Sequence, residues 1–165
     1  PYLDAANIDL KAFTDAFYQK YCHAHLDPVL DTIKRMRELG IWIEVTTLLI
    51  PGLNDDQTEV GQLIRFLHDL DVNIPWHVSR FFPHYQLLDT SPTNVSDITA
   101  FLKSARSRGL KYLYGGNFMS KKWANTHCSE CGALLIERNG YSTLIQNLSA
   151  GNCTGCGNSI PGIWE

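Results

Sequence analysis

Strand-like apolar runs, each followed by a segment of helical period, constrain this chain more than any other feature. The first is "ANIDLKAF" at residues 6–13. It ends at the turn-like Thr14 and a short helix. Asp27-Pro28 then supplies a cap and a first-turn proline for a second helix. In that helix Leu30, Ile33, Met36 and Leu39 keep helical spacing until Gly40 stops it. The next run, "IWIEVTTLLI" at 41–50, is β-branched, mostly apolar and closed by Pro51-Gly52. Its length and content predict a strand buried on both faces. Beyond "NDDQ", Val60, Leu63, Ile64, Leu67 and Leu70 mark another amphipathic helix. "WHVSRFF" at 76–82 reads as a third strand ended by Pro83. A polar loop leads to a helix carrying Val95, Ile98, Phe101 and Ala105, which runs to Gly109, and "LKYLYGGN" reads as a last strand.

This alternation predicts an α/β fold with a parallel sheet and right-handed crossovers. Three or four such units do not close a barrel, for which eight units and roughly 250 residues are needed. Alone, they leave an edge strand and part of an apolar interior uncovered. The expectation is therefore the C-terminal half of a partial (β/α) TIM-like barrel, with a missing N-terminal half as its partner. The opening "PYLDAANIDLKAF", without an initiator Met, fits the middle of a longer protein. Residues 1–120 are assigned to the barrel part. The pattern changes near Asn117, and "SKKWANTH" reads as a linker into a separate unit at 121–165.

Composition narrows the class. A hydrophobic fraction of 44% against 19% charged residues reads as globular. The formal net charge of −3 gives no global basic field, so neither nucleic acid nor an anionic membrane is an expected partner. No apolar run approaches the roughly 20 residues of a membrane span, and no signal segment opens the chain. A cytoplasmic location is expected, where thiols stay reduced and paired cysteines favour metal over disulfide.

Four of the five cysteines fall in two pairs, Cys128/Cys131 and Cys153/Cys156, spaced C-x2-C-x21-C-x2-C. Two residues between thiolates let one tight turn aim both sulfurs at a single ion, and two such turns complete a tetrahedron. Gly132 and Gly157 follow the pairs, where a turn needs positive φ. Between them Asn139-Gly140 signals a hairpin. The pattern resembles a zinc ribbon, with structural Zn2+ on four sulfurs and no open position for catalysis. Four-cysteine sites also hold iron, which the spacing leaves open. His127 adjoins the site but is not expected to bind. With one basic residue, Arg138, against Glu130, Glu137 and Glu165, the ribbon makes a poor nucleic-acid module. "YCHAH" at 21–25 has no partner cluster, and Cys22 reads as a small buried hydrophobe.

Asp9 and Lys11 lie two residues apart in "NIDLKAF". Together with "TTLLIPGLND" and "HVSRFFP", this ordered set resembles the radical SAM enzymes. The resemblance is closest to the branch related to pyruvate formate-lyase-activating enzymes, and within it to the AmmeMemoRadiSam-system type, which shares a C-terminal ribbon ending in "PGIWE"-like sequence. It covers essentially the whole chain. It implies an oxidoreductase-type enzyme that reductively cleaves S-adenosylmethionine with a [4Fe–4S] cluster, releasing a 5′-deoxyadenosyl radical. That radical would act on a glycyl-radical enzyme, another protein or a small molecule. The family's CxxxCxxC loop and its glycine-rich strand-two motif are absent from these 165 residues, so the chain alone is expected to be inactive and to hold no catalytic residue.

By the same resemblance, Asp9 and Lys11 lie beside S-adenosylmethionine, where an acid and an ammonium suit a zwitterionic ligand. Thr46 stands where the activating enzymes often carry an Arg that meets the ribose, and Phe82 where they often carry His. Ser79 joins the cofactor-binding set. His77, Ser79 and Phe81 share one face of their strand with Arg80 on the other, and His77 and Arg80 are candidate substrate contacts. His84, in the "HYQ" of the following loop, is a candidate contact for a protein substrate. The alternative reading is a non-catalytic interaction module, in which the ribbon docks a partner through Ile160, Ile163 and Trp164 on an α/β scaffold.

Overall fold

A computed structural model describes residues 2–164, so Pro1 and Glu165 lie outside it. Four parallel strands form one sheet in sequential order: β1 (Ala5–Asp9), β2 (Trp42–Leu49), β3 (Trp76–Arg80) and β4 (Leu113–Gly116). Helices α2 (Leu26–Glu38), α3 (Gln57–Leu70) and α4 (Val95–Ser107) make the crossovers. Before them comes α1 (Asp15–Phe17), which runs into a π-helical turn at Tyr18–Cys22. The main core lies between these helices and one face of the sheet. Ile33, Ile64, Leu67, Ile98 and Leu102 pack there against Ile43, Val45, Trp76 and Val78.

The predicted double-sided burial of β2 is not what forms. Ile43, Val45, Thr47 and Leu49 are buried, while Trp42, Glu44, Thr46 and Leu48 are half-buried. No second helix layer covers the latter face among the described residues, so that side of the run is only half-covered. Phe81 lies past the end of β3 and joins the main core instead of the open face.

The start of α2 also differs. Its cap is His25, with Asp27 and Pro28 inside the first turn. The orphan Leu26 N–H is satisfied by Asp15 Oδ1 at 2.9 Å, a cap delivered from α1. That N–H, with the Gln19 and His25 side chains, holds the Asp15 carboxyl below its ordinary value. Leu39, past the helix end, is exposed. For α3, Asp56 caps the Thr58 and Glu59 N–H groups directly.

The segment read as a linker is folded. It contains α5 (Lys121–Ala124), whose Trp123 is buried in the main core, and β5 (Thr126–His127). β5 pairs with β6 (Leu134–Asn139), and β6 with β7 (Ser142–Ile145), both antiparallel. Asn139 pairs with Ser142, so the two-residue turn is Gly140-Tyr141, one place beyond the predicted Asn139-Gly140. A second small hairpin joins β8 (Leu148–Ser149) to β9 (Asn152–Cys153). Leu135, Ile160, Cys128 and Cys153 form a separate small core. Ile160 is therefore interior, not part of a docking tip, and Trp164 Nε1 donates to its carbonyl at 2.7 Å.

Candidate functional site

Parallel register brings the polar residues of the open face into rows. Asp9 stands opposite Thr46, Thr46 opposite His77, and His77 opposite Tyr114. One step toward the strand ends, Leu48, Ser79 and Gly116 form the next row. Neighbouring strands are about 4.8 Å apart, so these side chains share one floor on the open face, with Asp9, Ser79 and Gly116 nearest the carboxyl ends of their strands.

At the β1 edge Lys11 Nζ lies 2.7 Å from Asp9 Oδ2, with both side chains about half exposed. The backbone beneath them is held firmly. Lys11 N–H donates to the Tyr18 hydroxyl at 3.0 Å, and Asn54 Nδ2 donates to the carbonyls of Lys11 and Leu48. Asn54, the last-but-one residue of "PGLND", is buried and also accepts the Ile50 N–H at 2.7 Å. It pins the ends of β1 and β2 together. Thr46 Oγ1 donates to Asn7 Oδ1 at 3.0 Å. Ser79 sits against Gly116, where an added Cβ would lie 2.4 Å from Ser79 Oγ.

His77 Nε2 lies 2.7 Å from Glu44 Oε2, and its ring stacks on Tyr114 at 4.9 Å between centroids. Arg138, from β6, places its guanidinium 5.3 Å from the Tyr114 ring centre. It also donates to Ala124 O at 2.9 Å and Thr126 Oγ1 at 2.8 Å. The Tyr114 hydroxyl meets the same Thr126 Oγ1 at 2.8 Å, and burial pushes that phenol up. At Glu44 the His77 hydrogen bond outweighs burial, and with the charges of His77 and Arg138 holds the carboxyl below its ordinary value. Thus Glu44, His77, Tyr114 and Arg138 join sheet and ribbon. Glu44, Asn7, Asn54 and Tyr114 escaped the sequence reading. The signal for Glu44 was a lone carboxylate inside an apolar strand.

Arg80 is elsewhere. Its Nε donates to Thr93 O at 2.7 Å and its guanidinium covers Phe82 at 4.7 Å. Thr93 also accepts the Phe81 N–H, so Arg80 helps fasten the loop after β3. His84 in that loop is exposed, and His25 meets Asp15, leaving "YCHAH" without a metal-ligand cluster among the described residues.

The ribbon gathers Cys128, Cys131, Cys153 and Cys156 with all four sulfurs within 4.8 Å of one another. Two knuckles present them with matching geometry. Cys128 N–H donates to Ala133 O and Cys153 N–H to Asn158 O, while Gly132 and Gly157 N–H return to Cys128 O and Cys153 O. Gly132 and Gly157 both have φ of 76°. Sγ separations of 3.6 Å for Cys128–Cys156 and 3.7 Å for Cys131–Cys153 suit a shared ion. A tetrahedron with metal–sulfur bonds near 2.3 Å sets its sulfurs about 3.8 Å apart. Burial at Cys128 is outweighed by the Cys131 and Glu130 N–H groups, which bring its thiol down to about 6. At Cys156 the Asn158 N–H is outweighed by the surrounding sulfurs, which push that thiol up to about 12. Four thiolates this close need a cation among them. His127 is exposed and outside the cluster.

No family model matches the sequence. An uncharacterized protein of Methanocaldococcus jannaschii is 44% identical over 161 residues, covering 96% of this chain and 48% of that protein. The chain spans about half the length of the curated relative it matches. A domain of a pyruvate-formate lyase-activating enzyme from Bacteroides vulgatus superposes with TM-score 0.54 at 21% identity, covering 68% of each chain. A radical SAM methyltransferase from Sphaerobacter thermophilus gives TM-score 0.54 at 19% identity, covering 78% of this chain and 37% of the other. The likeness is one of fold. The α/β sheet with its helices is shared with both structures, in agreement with the fold the motifs implied. No helix among the described residues is long and apolar enough to cross a membrane.

Proposed function

We propose that this chain is the later part of a radical SAM enzyme, supplying one side of an S-adenosylmethionine site and carrying a structural zinc ribbon. The observation that carries the reading is the polar floor on the open face of the sheet, set in a fold shared with an activating enzyme and a methyltransferase. Asp9 and Lys11 offer opposite charges to the amino-acid end of the ligand, and Thr46 and Ser79 offer hydroxyls. When bound with a [4Fe–4S] cluster, S-adenosylmethionine would supply the 5′-deoxyadenosyl radical.

These residues do not furnish the cluster's ligands. Outside the ribbon the sole cysteine is Cys22, half-buried against the main core. The cluster loop therefore belongs to sequence beyond these 165 residues, and the radical's target is a protein or small molecule met by the assembled enzyme. In the ribbon, zinc fits the sulfur spacing and leaves no open coordination position, which makes the site a clamp.

A chain extended to the length of its relative, reconstituted anaerobically with iron and sulfide, should release 5′-deoxyadenosine from S-adenosylmethionine on reduction. Absence of that product, with the cluster verified by its absorption, would overturn the reading. The docking-module alternative keeps exposed Ile163 and Trp164 after the loss of Ile160 to the interior, and failure of the protein to bind S-adenosylmethionine would favour it.

A further inference from the structure

A cleft of about 540 Å³ opens between α4, the free edge of β4 and the α5–β5 segment, meeting the polar floor only at Tyr114. Its charged walls are Lys103 and Arg106 from α4, Lys111 before β4, and Lys122 from α5. No carboxylate lines it. The chain has fourteen cations against seventeen acids. With these four set aside, ten cations face seventeen acids across the rest. The cleft is thus a concentrated positive site on a negative protein.

Local structure alone does not account for the arrangement. Arg106 in the last turn of α4 suits the negative end of that helix. Lys103 gains nothing there, and at i,i+3 from Arg106 on one face it repels it. Lys111 Nζ approaches Glu130 only to 3.8 Å, at the rim. Lys103, Arg106 and Lys122 form no ion pair among the described residues. The floor is apolar, with Leu113 and Trp123 buried. Asn125 and Ser107 add polar groups to the wall.

We infer that this cleft binds a small phosphate-bearing polyanion, of the di- or triphosphate class. The volume falls in the range of small-molecule sites. Several cations converging on one cleft call for several negative charges held within a few ångströms. A di- or triphosphate carries them so, whereas an extended acidic peptide spaces its same-side charges about 7 Å apart. Arg106 gives forked donors for phosphate oxygens, and the lysines give point charges. The inference stands apart from the S-adenosylmethionine reading.

The test is titration of the zinc-loaded protein with inorganic pyrophosphate, and separately tripolyphosphate, at about 0.05 M salt, followed by amide chemical shifts and calorimetry. Saturable 1:1 binding is expected, with shifts at residues 103–127 and affinity falling as salt is raised. K103E/R106E, on an exposed helix surface, should weaken binding at least tenfold. K34E/R35E on α2 should leave it unchanged, and K122Q should weaken it severalfold. No saturation at millimolar ligand would overturn the inference, as would equal losses in both charge-reversed variants. Shifts confined to the cysteine knuckles would mean metal stripping and overturn it too. Tighter binding of a glutamate-rich peptide than of either phosphate would replace the phosphate assignment with a protein partner.

Discussion

His77 Nε2 and Glu44 Oε2 meet at 2.7 Å across β2 and β3, at the seam where the ribbon's Arg138 covers Tyr114. The pair gives the open face its only buttressed imidazole among the described residues. Glu44 has its carboxyl lowered in the folded chain, so its contribution is present above the ordinary carboxylate range and lost as pH falls through the lowered value. Glu44→Gln should destabilise by about 1 kcal/mol at pH 7, below the roughly 1.5–3 kcal/mol of a charge-assisted bond because the carboxylate is partly exposed. The gap between the two proteins in urea unfolding should close below about pH 4. A gap that persists at pH 3 would show that packing, not charge, is lost.

Asp9 and Lys11 provide the opposite case. Their ion pair is about half exposed, so it adds little to stability. Asp9→Asn and Lys11→Met should shift the unfolding midpoint by less than about 0.5 kcal/mol. In the extended, reconstituted enzyme each should weaken S-adenosylmethionine binding at least tenfold. Substantial destabilisation with unchanged binding would make the pair a structural tie between strand and loop.

Gly116 is small because Ser79 is beside it. A Cβ there would lie 2.4 Å from Ser79 Oγ and 3.2 Å from Ser79 Cβ. Gly116→Ala should cost about 1–3 kcal/mol through overpacking, visible as a Tm lower by several degrees. Adding Ser79→Gly removes both close atoms and should recover at least half of that loss. If the double variant is no better than Gly116→Ala, the strain lies in the backbone.

Much of this arrangement was legible because it depends on local pattern. Val60, Leu63, Ile64 and Leu67 announce α3 by spacing alone, and the paired cysteines announce the knuckles. What escaped depends on distant partners. The run 41–50 has the composition of a strand buried twice, yet only Ile43, Val45, Thr47 and Leu49 meet helices. Asp15 caps a helix eleven residues on, beyond the reach of any short capping signature. Arg138, read only as a lone ribbon cation, is the contact that fastens the ribbon to the sheet, because pairing with β5 carries it over Tyr114. Asp9, Thr46, His77 and Ser79 fall on strands as read, whereas Lys11 lies past the end of β1, and the rows follow from register, which single strands do not specify.

The four-sulfur site sets the last expectation. The ribbon's apolar core reduces to Leu135, Ile160 and a few half-buried neighbours, too little to order about 35 residues unaided. Metal binding should therefore carry its folding energy. Elemental analysis should find one zinc per chain. Cobalt(II) in its place should give the visible bands of a tetrahedral four-thiolate site. Cys131→Ser, or chelation at neutral pH, should abolish amide protection at residues 126–160, while Val45, Leu67 and Val78 in the main sheet and its helices keep theirs. Acidification should release the metal as protons compete for the thiolates. Iron in the purified protein, with a four-thiolate iron spectrum, would replace zinc at the same knuckles. A ribbon that stays ordered without any metal would show that packing against Trp42, Tyr114 and Trp123, not the ion, holds it in place.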